Sequence, residues 1–144
     1  MPQYCTFRVA DLMLGVEVLR VQEVIRDQVL TPVPLAHRSV SGLINLRGQI
    51  VTAIDLRVRL GLAADPGDDP KLNVVVQQDG DAVALRVDEI GDVAEVGADS
   101  FEPTPETVRG TLRDLVVGVH KLEGRLLLVL DIDRVIDLSV KAAA

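Results

Sequence analysis

An internal repeat constrains this chain more than any other feature of its sequence. Residues 42–62 read GLINLRGQIVTAIDLRVRLGL, and residues 118–138, which lie 76 positions later, read GVHKLEGRLLLVLDIDRVIDL. In each copy an apolar segment leads to a turn that ends in glycine, followed by an apolar strand, an aspartate and an amphipathic stretch. A weaker match, between residues 14–24 and 83–93, occurs in the same order along the chain. The repeat predicts two similar subdomains in one chain.

Short strands account for most of the predicted elements. Aromatic residues make up only 2% of the chain, so Val, Leu and Ile must build the core, and β-branched residues favour strands. The turn signal Asp79-Gly80 separates two apolar runs, as in a β-hairpin. We therefore predict an all-β fold of small barrels with short helices. The stretch DPGDDP, residues 65–70, is the predicted linker between a first subdomain at about residues 8–70 and a second at about residues 71–138.

Charge and composition argue against several classes of function. The formal net charge is −7, and the sequence shows no basic face of the kind that binds nucleic acid. The same acidity disfavours direct binding to an anionic membrane, and no apolar stretch approaches the ~20 residues of a membrane span. Cys5 is the only cysteine, which rules out an intrachain disulfide and a cysteine zinc cluster. The opening MPQYCTF lacks the features of a signal peptide, so we expect a soluble cytosolic protein.

Aspartates that follow the repeated strands allow two interpretations. Asp131 and Asp133 lie two positions apart, and Asp55 stands at the equivalent place in the first copy. Such carboxylates can bind a metal ion or act as acid and base, as in a small metal-dependent hydrolase. An aspartate between a strand and an amphipathic stretch is also the expected N-cap of a helix. We favour this structural role for Asp55 and Asp131.

Other catalytic arrangements are missing from the sequence. It has no glycine loop of the types that bind nucleotide phosphates, and no nucleophile elbow accompanies the serines near His37. We therefore expect a protein that is not an enzyme and that uses no metal, cofactor or small-molecule substrate.

The turn of the first repeat differs in charge from the turn of the second. Arg47 stands at the tip of an otherwise apolar hairpin, where the second copy has Glu123. A guanidinium can form directional, paired hydrogen bonds with a carboxylate, and Glu23 lies in a segment expected to run beside this hairpin. The sequence is also compatible with an ordinary surface ion pair of little energetic value.

Aliphatic residues are concentrated in the segment 18–25. Val18, Val21 and Val24 recur at every third position, with Leu19 and Ile25 beside them. This spacing fits a short helical turn or a strand that enters a bend. A core position is the default for each, but a small barrel cannot point all five inward. Part of the set is therefore a candidate apolar surface for a partner.

These residues belong to a longer pattern that resembles the CheW family, the coupling proteins of bacterial chemosensory systems. The resemblance implies a single CheW-like domain over residues 1–144, built of two SH3-like five-stranded β-barrels packed side by side. It also implies a non-catalytic adaptor that couples transmembrane chemoreceptors to the histidine kinase CheA. The matching segments, between about residues 4 and 138, are FRVADLMLGVEVLRVQEVI, TPVP, SGLINLRGQIVTAIDLRVRLGL, VALRVDEIGDV and GVHKLEGRLLLVLDIDRVI.

The resemblance further implies sites and partners. Val21, Glu23 and Arg47 match positions that support kinase and receptor coupling, and Arg47 is the arginine of the family's N-L-R-G motif. The implied partners are the regulatory domain of CheA and the cytoplasmic tip of a methyl-accepting chemoreceptor, which would recruit the protein to the inner face of the cytoplasmic membrane. An alternative is a specialised scaffold of a non-flagellar pathway that keeps only one of the two interfaces. Four apolar residues match the family's receptor groove between the barrels: Val18, Val24, Val87 and Ile90.

Overall fold

The computed structural model describes residues 2–63 and 71–138, and it confirms the predicted all-β fold with short helices. The predicted linker at residues 65–70 lies outside the described residues. The strands are β1 (Gln3–Val9), β2 (Leu12–Glu17), β3 (Val21–Arg26), β4 (Val40–Leu46), β5 (Gln49–Asp55), β6 (Leu72–Gln78), β7 (Asp81–Val87), β8 (Glu89–Glu95), β9 (Phe101–Glu102), β10 (Val116–Leu122) and β11 (Arg125–Leu130). The α-helices are α1 (Leu56–Arg59), α2 (Gly110–Leu115) and α3 (Ile132–Ile136).

The strands form two sheets that are related in topology. A six-stranded sheet has the order β8-β1-β2-β11-β10-β9, and a five-stranded sheet has the order β3-β6-β7-β5-β4. Each sheet contains one parallel pair, β2 with β11 in the first and β5 with β7 in the second. Without the two-residue strand β9, the two orders correspond strand by strand under the sequence repeat.

The sheets do not divide where the sequence repeat divides. Strands β1 and β2, from the first copy, join strands of the second copy in the six-stranded sheet, while β6 and β7, from the second copy, join β3, β4 and β5. The boundaries predicted at about residues 8–70 and 71–138 therefore separate the two sequence repeats, but they do not separate the two sheets. The reason is that each copy gives its first hairpin to one sheet and then crosses to the other. The first crossing is the 3₁₀ turn Val18–Arg20, and the second is at Asp88.

The main core lies between the two sheets and takes side chains from both. In β6, Val74 and Val76 face this core, while Val75 faces a smaller cluster on the other side of the same sheet. Successive strand residues point to opposite faces, so a strand buried on both faces becomes a continuous apolar run. The fully buried side chains of the main core include Phe7, Leu14, Val16, Ile54, Leu56, Leu85 and Val135.

The repeated aspartates form the helix caps that the sequence predicts. The carboxylate of Asp55 accepts a hydrogen bond from the amide of Val58 in α1, at 3.4 Å. The carboxylate of Asp131 accepts one from the amide of Arg134 in α3, at 3.2 Å. Asp133, the third candidate metal ligand, instead forms an ion pair with Arg20, at 2.8 Å. In the part of the chain that the structure describes, no three His, Cys, Asp or Glu side chains come together as a metal-binding group.

The cap at Asp131 leads to a first testable prediction. Because alanine cannot accept the Arg134 amide, Asp131→Ala is expected to lower the free energy of unfolding by about 1 kcal/mol, and Asp131→Asn by less, since asparagine also caps helices. Urea denaturation of the three proteins, with and without added Mg²⁺, provides the measurement. Stabilisation of the wild type alone by Mg²⁺ would instead support the metal-site interpretation of these aspartates.

Candidate functional site

The candidate site begins at the turn between β4 and β5, where Arg47 and Gly48 both have positive φ, at 52° and 86°. Two positive-φ residues are typical of the tight type I′ hairpin turn, which favours Asn-Gly. Arginine carries a conformational cost in this left-handed region. In the second copy, Gly124 has a positive φ but Glu123 does not. Arg47 therefore adopts a left-handed backbone conformation that arginine does not favour. This cost points to a role for its side chain at the turn.

Asn45 fixes the same turn from inside the hairpin. Its side-chain oxygen accepts a hydrogen bond from the amide of Gly48, at 2.9 Å. The sequence interpretation did not identify this residue, although asparagine side chains commonly bond to nearby backbone amides in turns. The second copy has Lys121 at the equivalent position, which cannot accept such a bond. The turn of the first copy is thus held in a defined geometry that orients Arg47.

Arg47 and Glu23 form the predicted ion pair. The Nη2 group of Arg47 donates a hydrogen bond to Oε2 of Glu23, and Gln22 donates to the same oxygen, at 3.3 Å. The hydrogen bond from Arg47 is the main reason that the pKa of Glu23 lies below its ordinary value. The same bond raises the pKa of Arg47. The Arg47 side chain is 67% exposed and that of Glu23 22%, so the guanidinium stands outward on a more recessed carboxylate.

Strand β3, which carries Glu23, is an edge strand of the five-stranded sheet. Its residues alternate between half-buried and exposed, and a bulge interrupts its pairing with β6 between Val21 and Glu23. Val21 is half-buried and packs against the main core, whereas Val24 is 41% exposed. Bulged edge strands are common beside functional sites. This edge therefore presents an apolar side chain next to an ion pair.

The predicted groove residues do not share one environment. Val18 begins the 3₁₀ turn and is half-buried, and Ile90 is half-buried against the main core. Val87 is only 1% exposed, because β7 is covered on both faces and Val87 points between the sheets. The assignment of Val87 to a partner groove is therefore wrong: it is a core residue. Leu19 belongs to the aliphatic set predicted at residues 18–25 but not to the predicted groove residues, and it is 92% exposed in the same 3₁₀ turn as Val18.

Ser100 and His120 also lie close together, at a buried position beside strands β9 and β10 of the six-stranded sheet. The hydroxyl of Ser100 lies 2.8 Å from Nδ1 of His120, which is 1% exposed. The rings of Tyr4 and Phe101 lie 5.4 and 5.2 Å from the His120 ring. Burial lowers the pKa of His120. Because the imidazole is enclosed, this pair is suited to holding β9 on β10 and not to attacking a substrate.

Comparisons with known proteins point in one direction. A family model described as the CheW-like domain matches residues 3–140. The "Chemotaxis protein CheW" of Rhizobium meliloti (strain 1021) is 32% identical over 138 residues, which cover 96% of this chain and 89% of that protein. The protein of the same name from Bacillus subtilis (strain 168) is 32% identical over 132 residues, with 91% and 84% covered.

A solved structure agrees with the sequence comparisons. The scaffolding protein TtCheW from Thermoanaerobacter tengcongensis superimposes with a TM-score of 0.84 at 27% identity, over 95% of this chain and 94% of that one. The described residues contain no helix long and apolar enough to cross a membrane.

Proposed function

The chain belongs to the family of CheW-like domains, and from this premise we propose that it is a non-catalytic adaptor coupling chemoreceptors to the histidine kinase CheA. The observation that carries the proposal is the pair formed by Glu23 and Arg47. Its guanidinium projects from a turn whose backbone does not favour arginine, and it remains largely in solvent. Arginine is enriched at the residues that dominate binding energy in protein interfaces.

The geometry of the pair suits recognition of a protein surface. An arginine has five N–H donors in a rigid planar fork, and Glu23 engages one edge of that fork. A partner carboxylate or carbonyl would find the guanidinium already oriented, so less side-chain entropy is lost on binding. We propose that this surface, together with Val21, contributes to binding of the regulatory domain of CheA.

A receptor tip presents a different surface, because it is a helical hairpin. Apolar residues on one face of a helix can dock into an apolar groove, with polar residues at the rim fixing the orientation. Val18, Val24 and Ile90 are half-buried or exposed and remain candidates for this contact. Binding of this kind would bring the protein to the inner face of the cytoplasmic membrane through receptors.

Binding measurements with isolated partners test the proposal. The full chain is expected to bind both the CheA regulatory domain and a receptor cytoplasmic hairpin from the same organism, measured by pull-down and calorimetry. Binding to only one of them would favour the specialised scaffold with a single interface. If the folded protein binds neither, the proposed adaptor function is wrong.

A further inference from the structure

A separate concavity on the protein is lined by polar side chains that include neither Glu23 nor Arg47. It lies between the segment 37–39, helix α1 and the start of α2, and it has a volume of about 280 Å³. A single water molecule needs only ~10–15 Å³ of volume measured in the same way, so the cavity has room for a small solute. Five polar residues line it, and among the described lining residues none is Asp or Glu: His37, Arg38, Ser39, Arg59 and Thr111.

His37 is held with a hydrogen-bond donor available. Its Nδ1 accepts a hydrogen bond from the backbone amide of Ser39, at 3.0 Å. In a neutral imidazole one nitrogen accepts and the other carries the proton. Nε2 of His37 is therefore the N–H donor of the ring. Together with the side chains of Arg38 and Thr111, this gives the cavity several donors on separate elements of the fold.

Arg59 adds a fixed positive charge to the lining of the cavity. It is 4% exposed, and its Nε and Nη2 groups donate to the backbone oxygens of Val135 and Arg134, each at 2.7 Å. These bonds hold the guanidinium at the C-terminal end of α3. Burial lowers the pKa of Arg59, and the charge of Asp137 partly opposes this effect. Arginine stays protonated in proteins, so its charge persists at neutral pH.

The charged side chains that line this cavity are positive, whereas the protein as a whole has a negative net charge. The chain has a net charge of −7, yet its described lining contains two arginines, a histidine and two hydroxyl groups and no carboxylate. Arginine forks and hydroxyl donors match the geometry of phosphate oxygens. We propose that this cavity binds a tetrahedral oxyanion, either inorganic phosphate or the phosphate group of a small monoester, with Arg38 and His37 as donors and Arg59 as the fixed charge.

Titration of the full-length protein tests the site. Inorganic phosphate and glycerol 2-phosphate are added separately at constant ionic strength, while calorimetry and amide chemical shifts are recorded. Saturable binding is expected, with shifts at His37 to Ser39 and at Thr111. Tighter binding of the monoester would identify an organic phosphate as the ligand, and equal binding would identify the free ion.

Substitution of Arg38 separates a built site from general attraction of anions. Arg38→Gln is expected to weaken binding about tenfold or more, the size of a lost charge-assisted hydrogen bond. The matched control is Arg109→Gln, which removes the same charge from an exposed residue that does not line the cavity. Absence of saturable binding to the folded wild type, or equal weakening by both substitutions, would overturn the proposal. Neither outcome bears on the adaptor function.

Discussion

Replacing Arg47 by glutamate is expected to weaken binding to the kinase regulatory domain at least about thirtyfold, the loss typical of a dominant interface residue. The substitution places a second carboxylate beside Glu23 and removes the exposed guanidinium. The free energy of unfolding should change little, because the Arg47 side chain is 67% exposed and its partner lies at the surface. Calorimetric titration of the kinase domain and urea denaturation of the variant provide the two measurements.

The second repeat supplies a matched control for this experiment. Glu123→Arg changes charge at the equivalent turn, and it is expected to leave kinase binding unchanged.

Arg47→Asn removes the charge but suits the left-handed backbone, so it should fold well and still bind weakly. Loss of folding in Arg47→Glu would show that Arg47 is structural. Restored binding in a double variant with Glu23→Arg would show that the ion pair itself, and not direct contact by Arg47, is what the partner requires.

The repeat could be found in the sequence, but the exchange of strands between the sheets could not. Continuous apolar runs in β6 and β7 indicate that these strands are covered on both faces. The same apolar runs would result if these strands paired with strands of either copy. Pairing of β2 with β11 joins segments near opposite ends of the chain, and no local pattern specifies such a contact. The sequence therefore predicts the strands and their burial, whereas the sheet that each strand joins depends on how the whole chain packs.

The candidate site shows a similar limit. The pair of Glu23 and Arg47 could be predicted because the arginine interrupts an apolar hairpin and differs from the residue in the other copy. Val87 was assigned wrongly because a valine in an apolar strand gives no sign of which face is covered. Arg59 was not recognised, since an arginine in an amphipathic stretch is usually exposed. Its burial depends on backbone oxygens of α3, which lie far away in sequence.

Asp88 was also missed by the sequence interpretation, although it ties together several elements at the second crossing between the sheets. Its carboxylate accepts hydrogen bonds from the amide of Ala10 in the β1–β2 turn, at 2.7 Å, and from Nη2 of Arg57 in α1, at 2.8 Å. The third donor is Nζ of Lys71, at 2.7 Å. Burial alone would raise the pKa of Asp88, but these donors outweigh it and lower the pKa to about 2. The side chain is only 11% exposed, so solvent screens these contacts little.

The lowered pKa makes the stability of the protein depend on Asp88 in acid. A carboxylate with pKa 3.8 when unfolded and about 2 when folded contributes about 2 kcal/mol above pH ~4, which is lost as the pH falls toward ~2. The asparagine of Asp88→Asn cannot ionise. The variant's free energy of unfolding should therefore be lower than that of the wild type at neutral pH, and this difference is expected to shrink by about 2 kcal/mol between pH ~4 and pH ~2. Urea denaturation at a series of pH values measures the difference. Lys71→Met should show a smaller pH-dependent change than Asp88→Asn, because two donors to the carboxylate remain. A constant deficit of Asp88→Asn from neutral pH to pH ~2 would contradict this account, since only a pH-independent packing role would then remain for the side chain.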